Sequence, residues 1–198
     1  MLGGCGAMAL RTTVRPIICG IFAAMTGPHR KLDTRERREA EELLRTAPFA
    51  YVAVSDTDGP YVVPISFAFE APGDGTDEAA GPDGALGRLY LHTGPGKKSE
   101  ALARDPRVCV TVATHVTFSQ GSSPCEDGFG YRSVLVTGRA RLLDDESDRE
   151  RALRSIVAKH DPAAAALPFD SGVLAQTLVY EVAVHGIDYK ERPRHAPA

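Results

Sequence analysis

No stretch of this sequence approaches the ~20 consecutive apolar residues that a membrane-spanning helix needs. Cysteine is scarce. Cys5, Cys19, Cys109 and Cys125 match the spacing of no zinc, haem-attachment or redox-pair motif, so they read as free thiols of a cytosolic protein. An excess of either charge is also missing. The 23 Lys+Arg against 26 Asp+Glu leave a net charge of −3, which gives no reason to expect nucleic acid as a partner. Nor do the six histidines, at positions 29, 92, 115, 160, 185 and 195, show metal-ligand spacing. Tryptophan is absent altogether.

What is present is ordinary soluble composition: 198 residues, 43% hydrophobic and 25% charged. That is enough chain for one domain with a real core. The first 26 residues differ from the rest. Arg11 and Arg15 precede a short apolar run, Ile17 to Met25, which resembles a secretory signal. Pro16 and Gly20 break it, and no clean small-residue cleavage site follows. The expectation is a translation start at Met25 or Met8, with residues 1–30 as an extension without packed structure. The domain then spans 31–192, and 193–198 is a loose tail.

Periodicity divides the domain. Ala40, Leu43, Leu44 and Ala47 recur at three- and four-residue spacing, which predicts a helix over Arg35–Ala47, capped by Asp33 or Thr34 and ended by Pro48. β-rich runs follow at Phe49–Ser55 and Tyr61–Glu70, joined by the turn "DTDGP" into a hairpin. Pro64 cannot donate to a ladder, so its strand needs an edge or a bulge there. Ala71–Gly87, rich in Gly, Pro, Asp and Ala, reads as a solvent-facing insertion. Strands are predicted at Arg88–Thr93, Val108–Ser119, Tyr131–Asp144 and Thr177–Arg192, with Gly138 marking a bend or bulge. Helices are predicted at Lys97–Arg104, Asp145–His160 and around Gly172–Gln176. Six strands with short connections favour antiparallel neighbours and a closed or nearly closed barrel.

One stretch carries chemistry. In "LHTGPGKK" a histidine and a threonine end a strand, and Lys97 and Lys98 open a helix. Cations normally favour the other end of a helix. A hydroxyl, two ammonium groups and free helix amides within seven residues form a grip for a phosphorylated ligand. The other reading is a strand-end histidine beside two solvated lysines. "SSPCEDGFGYRS" reads as a long hairpin loop, with Tyr131 and Arg132 entering a strand.

Three blocks, "APFAYVAVSDTDGPYVVPISFAFE", "RLYLHTGPGKKSEALARDPRVCVTV" and "YRSVLVTGRARLLDDESDRERAL", resemble in order and spacing the flavin-binding split-barrel superfamily of pyridoxamine 5'-phosphate oxidase. The nitroimidazole-resistance-like branch is the nearest, and the likeness covers roughly Arg35 to Arg192. It implies a mainly β fold with peripheral helices, a six-stranded antiparallel Greek-key split β-barrel, acting as a homodimer with FMN between the subunits. Carried over, Val63, Pro64, Ile65 and Ser66 would pass along the flavin ring. Leu91, His92 and Thr93 would contact ring and ribityl chain, and Lys97 and Lys98 would hold the phosphate. Tyr131, Arg132 and Ser133 would come from the partner subunit or the opposite wall.

The chain departs from the oxidase itself in two places. No arginine occurs in Tyr61–Ile65, and the tryptophan-bearing C-terminal substrate segment is missing. Both argue against pyridoxamine phosphate as substrate. The resemblance implies an FMN-dependent, cytoplasmic oxidoreductase for small electron-poor compounds of nitroaromatic type, supplied by a nicotinamide donor, with no obligatory catalytic side chain. A deazaflavin-dependent reductase, a haem protein ligated by His92 or His115, and a non-enzymatic flavin binder are the rival readings.

Overall fold

The computed structural model describes residues 31–73, 85–121, 123–124 and 126–192. The expectations for the N-terminal extension, for most of the Gly/Pro/Asp-rich insertion, for Cys5, Cys19 and Cys125, and for the C-terminal tail fall outside them.

Twelve elements follow one another: α1 (Thr34–Thr46), β1 (Ala50–Asp56), β2 (Gly59–Ile65), β3 (Phe67–Glu70), β4 (Arg88–Thr93), α2 (Lys97–Arg104), β5 (Arg107–Ser119), β6 (Gly128–Leu142), α3 (Glu146–Ala158), α4 (Pro162–Ala165), α5 (Ser171–Gln176) and β7 (Leu178–Arg192). All strands join one antiparallel sheet in the order β2-β1-β5-β6-β7-β4-β3. Seven strands replace the expected six because the run Tyr61–Glu70 is broken at Ser66 into β2 and β3. No ladder joins β2 to β3, so the sheet is not closed.

That break shapes the molecule. β2 and β3 are the two edges of the sheet, yet a single residue connects them. One residue spans only a few ångströms, so the sheet must curl until its edges meet at Ser66. The register measures the tilt of the curl. The level of Ile65, followed through Ala50, Val112 and Val134, reaches Tyr189. The level of Phe67, followed through Leu91, reaches Tyr180 on the same strand. Strands of a curled sheet must stagger in this way.

The inside of the curl is the main core. Val52, Phe67, Leu89, Leu91, Val110, Val112, Val134, Val136 and Val182 are almost wholly buried there. Each such side chain contributes ~1.5–3 kcal/mol by leaving water. α1 feeds Ala40, Leu43 and Leu44 into that core. Its start is fixed by a capping box: Asp33 Oδ1 accepts from the Glu36 N–H at 2.8 Å, and Glu36 Oε2 accepts from the Asp33 N–H at 3.0 Å. α2 adds Ala101 and Leu102.

A second, smaller core lies outside the curl. There α3 sets Ala152, Leu153 and Ile156 against Ala68, Tyr90, Leu143 and Val179. The expected irregularity at Gly138 is present, since the β6–β7 register slips between Thr137 and Gly138. A Cβ on Gly138 would lie 2.3 Å from the Ala183 carbonyl oxygen, so only glycine fits. Among the described residues no helix is long and apolar enough to cross a membrane.

Candidate cofactor site

The seam where the edges meet gathers two of the blocks singled out in the sequence. β3 pairs with β4 through Phe67 and Leu91, so the next step of the same ladder sets Ser66 opposite His92. Alternation decides which neighbours face out. Ile65 is buried and Val63 partly so, whereas Pro64 and Ser66 are exposed. Pro64 lies on an edge strand, where its missing N–H costs no interior ladder bond. Leu91 is buried in the main core, and His92 and Thr93 are half-buried at the end of β4.

α2 begins four residues after Thr93, and its geometry separates the two lysines. Gly96 precedes the helix at φ +144°, a conformation that side-chain-bearing residues rarely adopt. Ser99 Oγ accepts from the Gly96 N–H at 2.9 Å, which tightens the turn. Lys97 then points to the β1–β2 hairpin. Its Nζ lies 2.9 Å from Asp56 Oδ2, 3.7 Å from Asp58 Oδ2 and 5.3 Å from the Tyr61 ring centroid. Arg104 also pairs with Asp56. Hydrogen bonding to Lys97 holds the Asp56 carboxyl below its ordinary range.

Lys98 is different. It is half-buried and makes no ion pair among the described residues. Burial holds its ammonium below the ordinary value. His92 is held low by burial and by the nearby Lys98 charge, both of which favour the uncharged imidazole. Lys98, His92 and the seam residues therefore form one cluster. A half-buried ammonium without a carboxylate is a group that an anionic oxygen would satisfy, so the residues present fit a phosphate-bearing ligand.

The third block sits apart. The level of Ser66 crosses β1 and β5 before reaching Ser133 on β6, three strand spacings or about 14 Å of sheet away. Tyr131 and Ser133 face outward with Leu135, while Val134 and Val136 face the core. Arg132 takes the inward alternation and is engaged. Its Nε lies 3.1 Å from Glu191 Oε1, and Glu191 also meets Arg35 of α1 at 3.4 Å. One protomer thus brings Val63–Ser66, Leu91–Thr93 and Lys98 together, and leaves Tyr131–Ser133 outside that cluster.

Two features escaped the sequence reading. Asp56 looked like a turn residue but holds Lys97 and Arg104. On the face of β4 that carries His92, Tyr90 donates to Glu70 Oε2 at 2.8 Å and accepts from Arg151 Nη1 at 3.0 Å. Burial pushes the Tyr90 hydroxyl up to about 12. Nothing local signals either link, since Arg151 is sixty-one residues from Tyr90.

The family model for pyridoxamine 5'-phosphate oxidase matches residues 36–191. Among solved structures, a candidate 5-nitroimidazole antibiotic resistance protein from Bacteroides thetaiotaomicron is 22% identical, with TM-score 0.62 over 81% of this chain and 87% of that one. An FAD and heme binding protein from Mycobacterium smegmatis is 23% identical, with TM-score 0.64 over 82% and 74%. An FAD-binding protein from Mesorhizobium loti is 25% identical, with TM-score 0.52 over 83% and 98%. A search of curated proteins returned no match.

Proposed function

The chain belongs to the pyridoxamine 5'-phosphate oxidase family, and on that premise we propose that it is an FMN-binding oxidoreductase of the cytoplasm. It reduces small electron-poor compounds of nitroaromatic type with electrons from a nicotinamide donor. The observation that carries the reading is Lys98, half-buried and without an ion pair among the described residues, beside His92 at the seam. The sequence likeness to the nitroimidazole-resistance branch and the flavin-binding neighbours support it.

In this reading Lys98 and the first-turn amides of α2 hold the phosphate, and the Thr93 hydroxyl adds a directional donor. Lys98 carries this charge largely alone, because β2 offers no arginine and Lys97 is tied to Asp56. The backbone and exposed side chains of Pro64 and Ser66 flank the ring, and His92 in its uncharged form offers one donor and one acceptor beside it. Bound FMN supplies the hydride and electron transfer itself.

The protein acts as a homodimer. The outer face of β2, β1, β5 and β6 carries Phe49, Tyr51 and Val62 at 46%, 45% and 55% exposure among the described residues. A second copy covers that apolar surface and contributes Tyr131, Arg132 and Ser133 from its own β6.

The visible spectrum of purified protein tests the cofactor class: a flavin band pair supports the reading, and a Soret band would replace it with haem. Fluorescence titration tests the grip. A charge-assisted hydrogen bond is worth ~1.5–3 kcal/mol, so Lys98→Ala weakens FMN binding by roughly ten- to a hundredfold and leaves riboflavin binding unchanged. Equal FMN affinity in both proteins would sink the phosphate assignment. Anaerobic turnover of a nitroimidazole panel with each nicotinamide donor then tests the reaction.

A further inference from the structure

We propose that Asp56 is a positioning residue for the phosphate grip. From the β1–β2 hairpin it holds both ends of α2, and so decides which of two adjacent lysines faces the ligand. This role rests on the FMN reading of Lys98 and adds to it the device that aims that side chain.

The spacing within α2 builds the device. Lys97, Ala101 and Arg104 recur at four- and three-residue spacing and share one face of the helix, while Lys98 and Leu102 share the next. Ala101 and Leu102 are buried in the main core at 0% and 5% exposure. One carboxylate reaches both ends of the first face. Asp56 Oδ2 lies 2.9 Å from Lys97 Nζ, and Oδ1 pairs with Arg104, about two turns further on. The Asp56 side chain is only 6% exposed. It also accepts from the Thr57 N–H, so the hairpin sets its place. A fixed carboxylate that grips a helix at its first and last turns fixes the rotation of that helix. Lys98, ~100° further round, is then left on the side of His92.

An acid near an anion site can act in two opposite ways. As a bare charge it repels the phosphate, and its removal tightens FMN binding. As an anchor it aims Lys98, and its removal weakens FMN binding. The contacts favour the anchor, because the Asp56 charge is met by two cations. Nor does loss of the carboxylate hand Lys97 to the phosphate. Lys97 Nζ still has Asp58 Oδ2 at 3.7 Å and the Tyr61 ring centroid at 5.3 Å.

The test is a fluorescence titration of the full-length protein with FMN and with riboflavin. Riboflavin lacks the phosphate, so the ratio of the two affinities isolates the grip. Asp56→Asn, close in shape but uncharged, weakens FMN binding by about three- to tenfold and leaves riboflavin binding unchanged. Arg104→Gln releases one end of α2 without leaving the carboxylate unpaired, and shifts the ratio the same way by about two- to threefold. In a Lys98→Ala background Asp56→Asn has no further effect on FMN, because it acts through Lys98. Unchanged or tighter FMN binding in Asp56→Asn overturns the proposal. So does an unchanged ratio in Arg104→Gln, an equal loss of riboflavin binding, or the same loss of FMN binding when Lys98 is already absent. Failure of the FMN reading has its own signature: Lys98→Ala alone then keeps the wild-type ratio, and the grip and its anchor fall together.

Discussion

The curled sheet has two outer faces, and the chain treats them differently. The face of β3, β4 and β7 lies under α3, and its Tyr90 and Val179 are buried at 1% and 0% exposure. Its buried Tyr90 is also satisfied within the chain, since the hydroxyl donates to Glu70 and accepts from Arg151. On the face of β2, β1, β5 and β6, among the described residues, Phe49 and Tyr51 stack edge to face at 5.6 Å while remaining half exposed. Phe118 and Phe129 do the same at 5.4 Å toward the β5–β6 tip. Burial on the first face is satisfied within the chain. On the second, large apolar side chains stay exposed among the described residues, and the candidate cofactor seam opens beside that face.

The largest expected difference is in stability. Ile156→Ala on the covered face removes a side chain that is 4% exposed and costs ~2–5 kcal/mol. Val62→Ala on the bare face changes the stability of the isolated fold by no more than ~0.5 kcal/mol. Urea denaturation of both variants checks the contrast, and similar losses would erase the distinction between the faces. The second difference is in association. Tyr51→Glu places a charge in the proposed dimer surface, and sedimentation should then find the ~21 kDa monomer. A dimer that survives this change uses another surface.

The third and smallest effect concerns the clasp at the end of α3. Lys159 Nζ donates to the Leu44 carbonyl at 3.0 Å and lies 3.4 Å from the Phe67 ring centroid, joining α3 to α1 and the seam strand. Burial pulls its ammonium down to about 8 from an ordinary 10.5. Between those values the unfolded chain binds more protons than the folded one. Stability from this group is therefore lost as pH falls through 8 and is fully present above 10.5. Partial solvent exposure keeps the effect modest. Lys159→Met should flatten the rise in urea midpoint between pH 7.5 and about 10 relative to wild type. Parallel profiles would mean that the contact carries no linked proton.

Local spacing was legible wherever the physics is local. The three- and four-residue recurrence of Ala40, Leu43 and Leu44 set α1, and Asp33 proved to be its cap. β-Branched alternation set β5 and β7 within a residue or two. The boundary of β6 was misjudged: it starts at Gly128, because Phe129 pairs with Phe118 across a stretch that composition marks as loop. The short α4 was not foreseen, since "PAAA" has no periodic face.

By itself, the sequence determined most of the helices and strands, the need for an edge or a bulge at Pro64, the irregularity at Gly138 and the two lysines on the first turn of α2. Each of these depends on backbone preferences or spacing within a few residues. Only the tertiary structure decided what those residues meet. Lys97 and Lys98 are neighbours, but a helix turns ~100° per residue, so one faces Asp56 and the other the seam with His92. Arg132 meets Glu191, and Lys159 meets Leu44, across fifty-nine and 115 residues of chain. The break at Ser66 likewise has meaning only once the sheet has curled and brought its two edges to that residue. Such pairings follow from register and closure of the whole sheet, which no local run of side chains encodes.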